Sequence, residues 1–294
     1  LWSLFEYYIS MDISQKIALI SLGNKIPHGV YQSLYSKHPQ VVNYLMDELI
    51  VSLCAEGISP GPYRIILNVD NVAKISSVEL RADSLVINGD LHLGIKPETY
   101  YRCVEFGECR DAADLCLRVL DSLLVFLSRE VLSCVMMQVK YGQEDASGVQ
   151  RILAEYYVQG YEKFRLGNYA EAVQCFRHRG IGLTPAGDDF LCGMLLGMAW
   201  LTKVQKKELS KIMDLILHVS EVNDPLIRTF MSQAVKLELD ADWAGFLGAL
   251  GSAGNSYEPW LDKILSHGAS SGADQLSGFY LAWELFGSSP AMQL

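Results

Sequence analysis

Positive charge is scarce in this chain: 24 Lys and Arg stand against 34 Asp and Glu, a formal net charge of −10. No basic stripe is available to neutralise a run of phosphates, which excludes nucleic acid and anionic membrane surfaces as expected partners. Long hydrophobic runs are missing too. The longest mainly apolar stretch, Phe190 to Leu201, contains Gly193 and Gly197 and falls well short of the ~20 residues that span a bilayer. No CxxC pair occurs among Cys54, Cys103, Cys109, Cys116, Cys134, Cys175 and Cys192. Their odd number and the lack of a disulfide framework point to a reducing cytoplasm, with several thiols serving as small hydrophobes. A leader is equally hard to find, because the opening "LWSLFEYYIS" carries Glu6, has no basic flank and shows no cleavage site. Met11 reads as a natural start. The partners expected from this balance are small molecules and other proteins.

What the chain does have is length and apolar content, 294 residues of which 50% are hydrophobic, enough for two domains of ordinary size. The fold class expected is α+β, with a mixed α/β front carrying an antiparallel meander (1–145) and an all-α back (146–294). In the front, "KIALISL" reads as a buried strand and "GVYQSLYSKHPQVVNYLMDELIVSLCAEG" as helical with a break before Pro39. Short β-prone runs follow in "YRIILNV", "VAKISSVELRA", "SLVING" and "LHLGI", and Asn88-Gly89 signals a hairpin. The spacing predicts one long helix from Ala112 to Val139 bridging the halves, then a polar linker, "KYGQEDASG". Beyond it, six or seven helices with short joints are expected. The segment "YYVQGYEKFRLGNYAEAVQCF" resembles one tetratricopeptide unit, but no second copy is visible and a solenoid needs about three, so it is read as an ordinary helical hairpin.

An internal echo carries the chemistry. "GDDFLCG" (187–193) and "GADQLSG" (272–278) share G-x-D-x-L-x-G, and each follows a small, hydroxyl-bearing loop, "GLTPA" or "GASS", and opens an apolar helix. Gly180, Gly182, Gly187 and Gly272 would let a ligand approach the backbone closely. The open N–H groups of a first helical turn favour phosphate or carboxylate, and Thr184, Ser270 and Ser271 add hydroxyl donors. Asp188, Asp189 and Asp274 complicate this, since a carboxylate at a helix start caps the N–H groups and repels an anion. An Mg²⁺ ion held by these three would reconcile the two roles. Gly193, Gly197 and Gly278 would let the two helices pack closely, bringing Asp189 and Asp274 together in one pocket. The plainer reading is a pair of capped helix joints with glycine for packing. The pattern lacks the G-K-[ST] ending and the preceding strand of a P-loop.

Arg177, His178 and Arg179 place positive charge just ahead of the first loop. A guanidinium there grips a carboxylate or phosphate, or else complements the dipole of its own helix. His267 precedes the second loop and is a candidate proton shuttle or oxyanion donor, with a solvated or satisfied imidazole as the alternative. His28, His38, His92 and His218 show no ligand spacing, and no Ser/His/Asp or Cys/His nucleophile signature is present.

"GIGLTPAGDDFLCG", followed about 85 residues on by "GASSGADQLSG", resembles the AllH-like family, linked to a subunit of oxamate carbamoyltransferase in allantoin catabolism, a branch of purine degradation. The resemblance is strong over 180–286 and weaker over the front. Family members commonly carry Ser where this chain has Ala186 and His where it has Ala269, so a hydroxyl and an imidazole of the pattern are missing here. The resemblance implies a transferase subunit that handles small anions (phosphate, oxamate, carbamoyl phosphate) together with other enzyme subunits. Arg177 and the loop residues Gly180, Gly182, Thr184, Gly187, Ser270, Ser271 and Gly272 would bind substrate, with Arg179 and His267 as catalytic candidates. Two other readings stay open: a magnesium-dependent all-α hydrolase of ADP-ribosyl type, which the paired Asp loops also resemble, and a non-catalytic assembly subunit.

Overall fold

The computed structural model describes residues 17–107, 111–129, 149–180, 183–220, 223–252 and 254–287. The chain divides into two compact units, Leu1–Cys103 and Val104–Leu294.

The first unit is built from strands. β1 (Leu19–Gly23), β3 (Leu34–Lys37), β4 (Val41–Met46), β5 (Leu49–Cys54), β6 (Arg64–Leu67) and β10 (Tyr100–Tyr101) form a sheet in the order β10-β1-β6-β5-β4-β3. A second sheet runs β2-β7-β8-β9, from β2 (Gly29–Tyr31), β7 (Val78–Leu80), β8 (Ser84–Ile87) and β9 (Leu91–Gly94). The β7-β8-β9 meander is antiparallel as expected, whereas the larger sheet is mixed, with β1 on β10 and β5 on β6 parallel. Ile87 pairs with Leu91, so Asn88, at φ 52°, and Gly89, at φ 84°, turn a three-residue loop with Asp90.

The segment expected to be helical, 29–57, is strand instead. Its β-branched and aromatic residues pair in strict register, Val42 with Leu53 and Tyr44 with Val51, around a turn in which Asp47 takes φ 53°. An apolar run this dense has no clean period, and the neighbouring strand decides. Leu22, Tyr31, Val42, Leu53, Ile65 and Leu85 meet in the core.

The second unit is helical: α1 (Ala112–Ser128), α2 (Val149–Arg165), α3 (Tyr169–Phe176), α4 (Ala186–Gln205), α5 (Ser210–Ser220), α6 (Pro225–Lys236), α7 (Ala241–Leu250), α8 (Glu258–Leu265) and α9 (Ser271–Phe286). The division at Cys103/Val104 falls ahead of the expected boundary near 145 because the apolar face of α1 finds its partner among helices. Leu115, Cys116, Val119 and Phe126 enter the helical core, and Arg118 donates to the carbonyls of Ala249, Leu250 and Asn255. The rest of the expected long helix, and the linker over 140–148, lie outside the described residues. α4 and α9 are the central pair. Residues 187–201 of α4 are all buried, as an all-round apolar helix requires.

Candidate functional site

The echo in the sequence is an echo in space. In the hairpin α3–α4, Arg179 N–H donates to Phe176 O (3.2 Å) and Gly187 N–H donates to Arg179 O (2.8 Å). In α8–α9, His267 N–H donates to Ile264 O (2.9 Å) and Gly272 N–H to His267 O (3.2 Å). A Cβ on Gly187 would lie 1.8 Å from Phe176 O, and one on Gly272 1.8 Å from Ile264 O. The helices then exchange contacts: a Cβ on Gly193 would meet Gln275 O at 1.8 Å, and one on Gly278 would meet Phe190 O at 1.9 Å. Gln275 is three residues past Gly272 and Phe190 three past Gly187, so the two hairpins clasp reciprocally, backbone to backbone.

This clasp gives the glycines a different neighbour from the one expected. Gly187 and Gly272 admit a carbonyl of the protein rather than a ligand. The first-turn N–H groups of α4 are also engaged, Gly187 on Arg179 O and both Asp188 and Asp189 on Pro185 O. Gly180 takes φ +127° against Ala186. Gly182 lies outside the described residues.

The clasp also brings the acids together, as the pairing of the loops predicts. Asp188, Asp189 and Asp274 are 1%, 3% and 4% exposed. Thr184 Oγ1 donates to Asp189 Oδ2 (2.8 Å) and lies 3.3 Å from Ser271 Oγ, so the two loops touch through their hydroxyls. Gln275 Nε2 reaches Asp189 Oδ1 (3.3 Å), its amide held by Trp243 Nε1 on Oε1 (3.1 Å). Burial pushes the Asp189 carboxyl up to about 6, against hydrogen bonds from Ser271, Thr184 and Gln275 that favour its charged form. Asp274 has less help. Burial pushes it up to about 8, opposed by one hydrogen bond from Ser270 and reinforced by the charge of Asp189. Its Oδ2 has no hydrogen-bond partner. Asp188 accepts from the His178 N–H (3.1 Å), with His178 Nδ1 3.5 Å from its other oxygen, and burial raises its pKa. Tyr157 joins the group: its hydroxyl donates to Arg179 O (3.0 Å), and burial with the charges of Asp274 and Asp188 raises its pKa.

The cationic candidates part company. Arg177 Nη1 donates to Val219 O (2.7 Å) at the end of α5. Arg179 stacks over the Tyr156 ring at 3.7 Å from its centroid, with a buried Nε that has no hydrogen-bond partner. His267 Nε2 lies 2.9 Å from Asp242 Oδ2, paired with a residue that the sequence reading passed over. Ligand atoms of Asp240, Asp242 and His267 all lie within 4.8 Å of one another, a set able to hold a divalent ion, although Lys263 Nζ sits 3.9 Å from Asp242 and Asp240 caps α7. Asp240-Ala-Asp242 reads in sequence as a helix cap, which hides its second use. Gln275 lies inside the echo opposite the apolar Phe190, and Tyr157 inside the tetratricopeptide-like segment, so neither carries a signal of its own.

Residues 178–283 match the family model described as oxamate carbamoyltransferase subunit AllH. The matched interval opens at His178 and closes in α9, enclosing both glycine loops and the buried Asp188, Asp189 and Asp274. No curated protein and no solved structure matches the chain.

Proposed function

We propose that the chain is a subunit of an oxamate carbamoyltransferase-like enzyme acting on oxalurate, oxamate and carbamoyl phosphate in allantoin breakdown. The observation that carries this reading is the coincidence of the matched interval, 178–283, with the clasped hairpins and their buried acids. In the catabolic direction a phosphate oxygen attacks the ureido carbonyl of oxalurate. The C–N bond to oxamate breaks, its nitrogen takes a proton, and carbamoyl phosphate leaves. A buried, low-dielectric cluster of fixed dipoles suits such a step, which needs placement and charge stabilisation more than a covalent nucleophile. With the α4 N–H groups engaged, Arg179 is the group best placed to take the anionic end of a substrate. Asp188, Asp189 and Asp274 would be the Mg²⁺ ligands if phosphate is bridged by a metal.

The engaged N–H groups favour a second reading, in which the clasp only builds a docking subunit for a catalytic partner. One experiment separates them. The chain is combined with its partner subunits and carbamoyl phosphate formation from oxalurate and phosphate is followed. Arg179→Ala is expected to lower the rate at least tenfold while the subunits still co-elute. An unchanged rate assigns the chain to assembly, and no reaction in the parent complex removes the carbamoyltransferase reading.

A further inference from the structure

We propose that the unpartnered oxygen of Asp274, set between the two hydroxyl-bearing loops, pairs with the primary amide or ureido end of a small ligand. The choice of oxamate as probe rests on the carbamoyltransferase reading; the chemistry of the site does not.

Asp274 is 4% exposed, yet Oδ2 has no hydrogen-bond partner. Buried polar atoms in folded proteins are nearly always paired, so one left open inside a polar cluster marks a place for a ligand group. The surroundings select its chemistry. Asp189 and Asp188 repel a second carboxylate or a phosphate, and the α4 N–H groups that would offset them are closed on Arg179 O and Pro185 O. An amide suffers no such repulsion. The cluster already accepts one, since Gln275 Nε2 donates to Asp189 Oδ1 at 3.3 Å. The open oxygen is itself an acceptor, which the NH₂ of a primary amide satisfies and a carboxylate ligand, only an acceptor, does not. Tyr157 borders the same cluster, its hydroxyl donating to Arg179 O (3.0 Å).

The test compares oxamate with oxalate, which replaces the amide NH₂ by oxygen at nearly constant shape. Both are titrated calorimetrically into the full chain, alone and with its partner subunits. Oxamate is expected to bind at least tenfold more tightly than oxalate. Asp274→Leu should lose that binding at least tenfold, and Asp274→Asn, which keeps the shape and adds a donor, should move the preference toward oxalate. Equal binding of the two ligands to the parent overturns the proposal while leaving the carbamoyltransferase reading intact. Undiminished oxamate binding by a folded Asp274→Leu does the same. Binding of oxamate that disappears with EDTA assigns the acids to a cation and also overturns it. If neither ligand binds the assembled complex, both the proposal and the function on which its probe rests fall.

Discussion

The two clasped hairpins share a backbone plan and differ in how they treat their aspartate. In each, the glycine of Gly-x-Asp sits on a carbonyl from the preceding helix, and a second glycine six residues on meets the backbone of the partner helix. The first hairpin then surrounds Asp189 with donors from Thr184, Ser271 and Gln275, and its carboxyl titrates near 6. The second leaves Asp274 with Ser270 alone, and its carboxyl titrates near 8. Equal burial with unequal hydrogen bonding thus separates two formally equivalent acids, leaving one an anion and the other a neutral acid at neutral pH. The glycines are what the two copies need to pack; the aspartates are where they diverge.

That comparison is broken most severely at the shared glycines. Gly193→Ala and Gly278→Ala each place a methyl within 2 Å of a carbonyl oxygen, and no flexible side chain is there to give way. Each is expected to cost more than about 4 kcal/mol, seen as loss of the cooperative thermal transition by circular dichroism. A folded Gly193→Ala with unchanged melting would show that the helices do not meet as described.

The next effect separates the two acids. Both carboxyls titrate higher in the folded chain than in the unfolded one, so their contribution to stability is intact below about pH 4 and is lost as pH rises, through about 6 for Asp189 and about 8 for Asp274. Asp274→Asn removes that loss. It should stabilise the protein at pH 8 by on the order of 5 kcal/mol and change little at pH 4. Asp189→Asn should stabilise less, because it gives up hydrogen bonds to a charged acceptor. Urea denaturation across this pH range checks the order, and a larger gain at 189 would reverse the assignment.

Smaller still is the removal of one donor. Thr184→Val deletes the 2.8 Å bond to Asp189 and is expected to cost about 1 kcal/mol while moving the Asp189 titration upward and leaving Asp274 in place. Carboxyl NMR titration reads both. At the low end lies Gly248→Ala in α7, a helical glycine whose added Cβ would meet nothing within 4 Å. It should stabilise by up to about 1 kcal/mol through helix propensity, in contrast to the glycines of the clasp.

Much of this arrangement was legible in the chain. The G-x-D-x-L-x-G echo, the hydroxyl-bearing loops and the apolar helices behind them marked the two hairpins, the close helix pair and the meeting of the acids. The meander over 78–94 was readable from alternation and from Asn88-Gly89. The segment 29–57 was not, because Val, Tyr, Leu and Ile crowd it too densely to show a period. Nor was the pairing of His267 with Asp242, since a carboxylate beginning a helix 25 residues earlier looks like a cap.

The sequence by itself determined where glycine permits close approach, where helices begin and which acids stand at their starts, because these depend on the local backbone and on residue type. Only the tertiary structure decided what fills the space the glycines leave. A carbonyl from the preceding helix occupies it at Gly187 and Gly272, while the N–H groups of Gly187, Asp188 and Asp189 turn to Arg179 O and Pro185 O. The tertiary structure also decided which acid is neutral, for a buried carboxyl titrates according to the donors that distant segments bring to it, three at Asp189 and one at Asp274.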